Sequence, residues 1–211
     1  MERKDQHYYT PLPDVKLKIF TVAESLRRHL YIFKTVPGIF SFKKIDLGTK
    51  LLIEHMMIPS EESNLLDIGC GYGPIGIVLA HESPKSQIYL VDINKLACWC
   101  ARENVKTNIS INKGRVQVLF GSFFEPIIKK NIKFDGIYMN PPLRLGRNVF
   151  FKIYEDVYKN LKPQGLFQFV MRKKMGAEYI LKSLRKQYPE EKIEIICKRS
   201  GYWIFKCFHN E

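Results

Sequence analysis

No stretch of the 211-residue chain approaches the ~20 consecutive apolar residues that a bilayer-spanning helix needs. Its polar opening, Met1 to His7, has no apolar signal-peptide core behind it. Membrane insertion and secretion are therefore not expected, and the chain reads as a cytoplasmic protein. Cysteine is sparse and unpatterned. Cys70, Cys98, Cys100, Cys197 and Cys207 include no C-x-x-C pair, and no histidine stands near them at zinc-ligand spacing. That argues against a disulfide framework and a structural metal, and predicts buried free thiols. Linkers rich in Pro, Gly or Ser are missing, as are repeats, so a division into independent halves is not expected. Acidic residues are in deficit: 21 Asp and Glu face 34 Lys and Arg, for a formal net charge of +13. Such a field attracts polyanions and makes nucleic acid the leading partner, the alternative being a lysine-rich composition that only aids solubility.

What is present is periodic. Residues 15–20 largely alternate apolar and polar, and residues 30–36 are rich in β-formers before Pro37-Gly38. They predict two strands of a small N-terminal sheet or lid, assigned to residues 1–47. From Gly48 onward helical and strand periods alternate. Helices are expected at Thr49–Met57, Pro74–His81, Lys95–Thr107, Asn148–Leu161 and Ala177–Gln187. Strands are expected at Asn64–Ile68, Gln87–Asp92, Val116–Phe120, Phe134–Met139 and Gly165–Met171. That alternation is the signature of an α/β fold with a mostly parallel sheet. Lys192–Lys198 and Tyr202–Phe208, separated by Ser200-Gly201, add a C-terminal antiparallel hairpin. Residues 48–211 then form one catalytic domain.

Two constellations carry chemistry. Leu65-Leu66-Asp67-Ile68-Gly69-Cys70-Gly71-Tyr72-Gly73-Pro74 sets an apolar strand before a glycine-rich turn and a helix start, where missing side chains let the backbone approach a ligand. Gly71, Gly73 and Gly76 fit the dinucleotide spacing, but glycines from Gly69 with an Asp two residues ahead do not belong to the nicotinamide pattern. The next strand ends at Asp92, a carboxylate placed for a ribose contact; helix capping is its ordinary alternative. The second constellation is Asn140-Pro141-Pro142-Leu143, after the strand that ends at Met139. The prolines stiffen the turn, so that the Asn140 oxygen and a neighbouring carbonyl can accept from one planar amine and aim its lone pair. A plain Asn-Pro turn is the competing reading.

At these residues the chain resembles the class I S-adenosylmethionine-dependent methyltransferases, with their acidic-x-Gly-x-Gly-x-Gly motif and acidic end of the second strand. The resemblance implies a Rossmann-like seven-stranded sheet and S-adenosylmethionine as cofactor. It also implies that Asp67, Gly69 and Gly71 surround its methionine and ribose, that Asp92 binds the ribose and that Ile93 packs on the adenine. Ser122 stands where many relatives carry an Asp that contacts the adenine amine. Asn140 to Leu143 resembles the (N/D/S)-P-P-aromatic motif of enzymes that methylate amino groups of bases or of protein glutamine. Leu143 departs from it, so a stacking aromatic must come from elsewhere, with Tyr138, Phe150 and Tyr202 as candidates that are equally well explained as core. Gly38 to Leu52 resembles the segment before the first motif in the methyltransferase small-domain group, which includes the catalytic half of bacterial ribosomal RNA guanine-amino methyltransferases and short single-domain relatives. There the Phe40–Thr49 loop helps enclose cofactor and target, with Asp46, Gly48 and Thr49 near the methionine end; ordinary helix capping is the alternative for Asp46 and Thr49. Arg144, Arg147 and the run Arg172-Lys173-Lys174 are candidate RNA phosphate contacts, a solvated basic turn being the alternative.

The leading expectation is an RNA base-amine methyltransferase. By resemblance it acts on guanine in ribosomal RNA or in an assembling subunit, as a monomer and without metal. A protein-glutamine methyltransferase and a non-catalytic RNA-binding protein are the alternatives.

Overall fold

Neighbouring residues in the strands point to opposite faces of one sheet, and the sequence fills both faces with apolar side chains. Leu65, Ile88, Leu90, Tyr138, Val170 and Ile204 join one buried cluster. Leu66, Ile68, Tyr89, Val91, Ile137, Met139 and Phe169 join a second on the other face. Strands buried on both faces need helices above and below, which gives a three-layer α/β/α arrangement. The structure is a computed structural model that describes residues 18–59, 62–110, 113–128, 130–142, 146–189 and 192–209.

The elements run β1 (Phe20–Leu26), β2 (His29–Thr35), α1 (Leu47–Glu54), β3 (Asn64–Ile68), α2 (Pro74–Glu82), β4 (Gln87–Asp92), α3 (Lys95–Asn108) and β5 (Val116–Phe120). They continue α4 (Glu125–Ile128), β6 (Phe134–Met139), α5 (Arg147–Asn160), β7 (Leu161–Arg172), α6 (Ala177–Gln187), β8 (Lys192–Arg199) and β9 (Tyr202–Phe208). The main sheet has seven strands in the order β5-β4-β3-β6-β7-β9-β8. β3 to β7 are parallel, and β9 runs antiparallel to both β7 and β8. The Rossmann-like fold with a C-terminal antiparallel hairpin is thus as expected. Helices α1, α2 and α3 cover the first face, while α4, α5 and α6 cover the second. On the second face Phe169 and Phe205 stack with centroids 4.5 Å apart, each buried ring contributing about 1.5–3 kcal/mol. Among the described residues no helix is long and apolar enough to cross a membrane. The five cysteines are free; Cys98 and Cys100 are both buried on α3.

The N-terminal sheet is a two-stranded hairpin, but its first strand is not the one expected. The alternation at residues 15–20 lies partly outside the described residues, and β1 begins only at Phe20, with Val22 and Leu26 facing the core. The turn is made by Arg27 and Arg28, both at positive φ (47° and 65°). Neither is a usual residue for that conformation, so tertiary contacts hold it. The Arg27 amide donates to Glu54 Oε1 at 2.8 Å, and its guanidinium donates to the Ile53 and Met56 carbonyls at the end of α1. The free edge of β2 is closed by side chains one turn apart on α3. Asn108 bonds both the amide and the carbonyl of Ile32, and Asn104 bonds those of Lys34 and also donates to the Tyr72 carbonyl. The hairpin is thereby tied to the glycine-rich turn after β3.

Candidate active site

From β3 the chain winds outward through β4 and β5, then returns to place β6 on the other flank of β3. Open α/β sheets form their ligand crevice at such a reversal, beyond the carboxyl ends of the strands. Ile68 pairs with Met139, so Gly69 and Asn140 leave the sheet side by side.

The Gly69 and Cys70 amides both donate to the Val91 carbonyl (2.8 and 3.0 Å), folding the turn back over β4. Gly69 and Gly71 have φ of 70° and 57°, the left-handed region that glycine tolerates. A Cβ at either would meet nothing within 4 Å, so both face open space. Gly76 differs: a Cβ there would lie 2.5 Å from Leu90 Cγ, and its role is close packing of α2 on β4. Asp67, fully buried, accepts the Gly76 amide on Oδ2 at 2.9 Å and so caps α2, whose first turn has no side-chain cap of its own. Its Oδ1 has no partner among the described residues. Burial pushes this carboxyl up to about 8, against the lowering effect of the Gly76 amide.

Asp92 accepts the Gly71 amide on one oxygen and the Asn94 amide on the other, each at 2.8 Å. It is not the cap of α3; Asn94 is, accepting from Leu96 and Ala97. Ile93 beside it is 68% exposed, an uncovered apolar surface at the rim. Ser122 follows β5 and opens α4, its amide donating to Glu125 Oε2.

On the other flank, Asn140 Nδ2 donates to Thr49 Oγ1 at 2.8 Å and to Asp46 Oδ2 at 3.3 Å. Asp46 also caps α1, accepting from Gly48 and Thr49 (2.9 and 3.3 Å), so capping and a place in the site coexist in one carboxylate. Because a carboxylate only accepts, the Asn140 amide nitrogen must face it and the amide oxygen must point the other way. The segment from Gly38 to Asp46 spans the cleft. Asn94 Nδ2 donates to the Gly38 carbonyl at one end, Asn140 holds Asp46 at the other, and Ile39 and Ile45 are its buried anchors. Phe40, on this strap, is 67% exposed.

The structure thus brings Asp46, Gly48, Thr49, Asp67, Gly69, Gly71, Asp92, Ile93, Ser122 and Asn140 to one edge of the sheet. Pro141 is buried and Pro142 exposed. Leu143 and Arg144 lie outside the described residues, and Arg147 is the first residue of α5. Of the two readings of Tyr138, Phe150 and Tyr202, the structure supports core and not an open stacking surface. Tyr138 is fully buried and donates to the Met57 carbonyl, Phe150 sits in the second core cluster, and Tyr202 is 7% exposed with its hydroxyl on Asp46 Oδ1 at 3.3 Å. Arg172, the last residue of β7, and Lys173 and Lys174 after it are exposed, with Lys173 3.4 Å from Glu178. Lys198 and Arg199, not singled out in the sequence, come to the same edge because β8 runs parallel to β7 across β9.

The profile of the "Methyltransferase small domain" family matches residues 30–206. The chain is 34% identical to the uncharacterized protein YbxB of Bacillus subtilis (strain 168), covering 95% of this chain and 97% of that protein. It is 29% identical to the ribosomal RNA small subunit methyltransferase C of Buchnera aphidicola subsp. Acyrthosiphon pisum, covering 92% of this chain and 56% of the relative. The T. thermophilus 16S rRNA N2 G1207 methyltransferase, solved with AdoMet and guanosine, superposes with a TM-score of 0.76 at 21% identity, over 95% of this chain and 52% of that one. The chain therefore spans nearly all of YbxB and about half the length of these ribosomal RNA enzymes. A glycine turn beside a proline-stiffened asparagine, on this sheet order and under a family match over most of the sequence, makes the chain a member of the methyltransferase small domain family.

Proposed function

We propose that the chain transfers a methyl group from S-adenosylmethionine to the exocyclic amine of an RNA base, guanine in ribosomal RNA being the base its relatives suggest. The observation that carries this reading is the direction of the Asn140 amide beside the Gly69 turn. With its nitrogen committed to Thr49 and Asp46, the amide presents an acceptor outward, and an amine is the group that can answer it. A backbone carbonyl of the stiffened Pro141-Pro142 turn supplies a second acceptor. Together they hold both amine hydrogens and aim the nitrogen lone pair.

The residues present fit the cofactor. Gly69 and Gly71 leave open space where a ligand can approach the backbone, and buried Asp67 Oδ1 is a polar atom without a partner among the described residues. In this reading Asp67, Gly69 and Gly71 hold the methionine and ribose part, with Asp46, Gly48 and Thr49 at the methionine end. Asp92 takes the ribose hydroxyls on lone pairs not used by its two backbone amides, Ile93 covers the adenine, and Ser122 lies near the adenine amine. When bound, S-adenosylmethionine supplies a methyl on a sulfonium, so the protein needs to orient the nitrogen rather than provide a strong base.

Base-paired amines are out of reach of such a cleft, so the target is flipped or drawn from a single-stranded loop. Phe40 offers the exposed aromatic surface on which such a base can stack. Arg172, Lys173, Lys174, Lys198 and Arg199 hold the phosphates on the β7–β8 side. Asp92 and Glu125 mark the opposite, cofactor side. The test is transfer of label from methyl-labelled cofactor to RNA or protein, followed by nucleoside analysis. Label in an N-methylated nucleoside supports the reading; protease-sensitive label, or none, overturns it.

A further inference from the structure

We infer that Arg172 and Tyr202 are positioning residues that act through Asp46 to lock the Asn140 amide with its oxygen toward the acceptor amine, an inference that rests on the function proposed above. A carboxamide is nearly symmetric in shape and its terminal torsion is soft, so nothing in the backbone decides which way it faces. Its partners decide. Asp46 Oδ2 receives three donors: the Gly48 amide at 2.9 Å, the Thr49 amide at 3.3 Å and Asn140 Nδ2 at 3.3 Å. Asp46 Oδ1 receives the Tyr202 hydroxyl at 3.3 Å and lies 3.8 Å from the Arg172 guanidinium. Tyr202 has one proton to give, and Arg172 fixes where it goes. Arg172 Nε donates to the Tyr202 oxygen at 2.7 Å, which leaves the hydroxyl proton for Asp46. The guanidinium also lies over the Tyr202 ring, 4.8 Å from its centroid.

The chain of bonds runs one way. Arg172 sets the Tyr202 proton, Tyr202 and Arg172 set the Asp46 carboxylate, and Asp46 with Thr49 sets Asn140. Turning the Asn140 amide over would press its oxygen against a carboxylate that has no proton to offer. Gly48 has a place in this arrangement. A Cβ there would lie 2.6 Å from Tyr202 Cε1 and 2.9 Å from Asp46 Oδ2, so glycine is what lets the Tyr202 ring close on α1. Asp46 and Tyr202 stand 156 positions apart in the sequence, and the contact arises because β9 runs antiparallel to β7 and opens at the same edge where β6 ends.

Two substitutions separate positioning from structure. Tyr202→Phe keeps the ring and removes the hydroxyl. Asp46→Asn keeps the size and the capacity to cap α1 but brings a donor where only an acceptor was. Each purified variant is compared with wild type for melting temperature, S-adenosylmethionine affinity by calorimetry, and kcat and KM on RNA. The Asn140 side-chain amide is followed by NMR in protein labelled with 15N-asparagine, its signal assigned by its loss in Asn140→Ala. Melting temperature is expected to hold in both variants and cofactor affinity in Tyr202→Phe, kcat to fall about tenfold or more, and the Asn140 amide signal to move in both variants. Wild-type kcat with an unmoved amide signal overturns the inference, as does a joint loss of stability and cofactor binding in Tyr202→Phe, which would make the network part of the fold alone. If wild-type protein methylates no RNA, the proposed function fails, and the amide signal by itself decides whether the network orients Asn140.

Discussion

The side chain of Asp67 accepts the Gly76 amide at 2.9 Å on one oxygen, while its other oxygen, buried with it, has no partner among the described residues. The carboxyl is pushed up to about 8, first by burial and further by the Asp92 charge. In the unfolded chain it titrates near the ordinary 3.8. Between about pH 4 and pH 8 the folded protein therefore keeps a proton that the unfolded chain has released, and stability falls as pH rises through that window. Denaturant titration of the ligand-free protein is expected to give lower stability at pH 8 than at pH 5, with a smaller difference in Asp67→Asn. A pH slope identical in both proteins contradicts this.

Two glycines in one motif are expected to fail differently. Gly71→Ala places a methyl in open space at a cost of about 1–2 kcal/mol for its positive φ, and its main effect is at least about a tenfold loss of S-adenosylmethionine affinity. Gly76→Ala drives a methyl into Leu90 and lowers stability by about 1–3 kcal/mol through overpacking. Calorimetry and thermal melting of the two variants distinguish them, and equal effects on both properties would undo the division between ligand-facing and packing glycines.

The cations of the β7–β8 side make a prediction about salt. Lys198 and Arg199 are exposed at the rim, so their joint replacement by Ala is expected to leave cofactor affinity and melting temperature unchanged. RNA binding weakens, and the slope of log affinity against log salt shrinks by about 1–2. An unchanged slope removes these residues from the RNA path.

In the proposed reading Phe40 supplies the base-stacking aromatic that Leu143 does not. Phe40→Ala is expected to raise KM for RNA about fivefold or more, in keeping with the loss of one base stack, and Phe40→Trp to restore it. Equal KM values for all three proteins would show that no base rests on Phe40.

Much of this was legible locally. The strands Asn64–Ile68, Gln87–Asp92, Val116–Phe120 and Phe134–Met139 fall where their apolar runs predict them, because each is buried on both faces and bounded by turn residues. The glycine turn and Asn140 were readable for the same reason: short-range chemistry fixes them. Where partners are distant the sequence was silent. The strand Phe20–Leu26 contains Ala23, Glu24 and Ser25, weak strand formers that pair only because β2 lies beside them. The Arg27-Arg28 turn depends on Glu54 and the carbonyls of α1. The start of β7 at Leu161 was hidden by Pro163 and Gly165, which are tolerated because the ladder shifts register between Phe134 and Gly136. In the site, no local pattern could have joined Tyr202 to Asp46, since that contact is a product of sheet order.

The central claim is that Asn140, which also stands among the residues expected beside the cofactor, acts chiefly by orienting an amine for transfer. Its most direct measurement is single-turnover methyl transfer to RNA by wild type and Asn140→Ala, at saturating S-adenosylmethionine and with cofactor affinity determined in parallel. The expected result is a transfer rate lower by about 10²–10³-fold with cofactor affinity within a few-fold of wild type. Transfer at the wild-type rate, or a loss explained entirely by weaker cofactor binding, would contradict it.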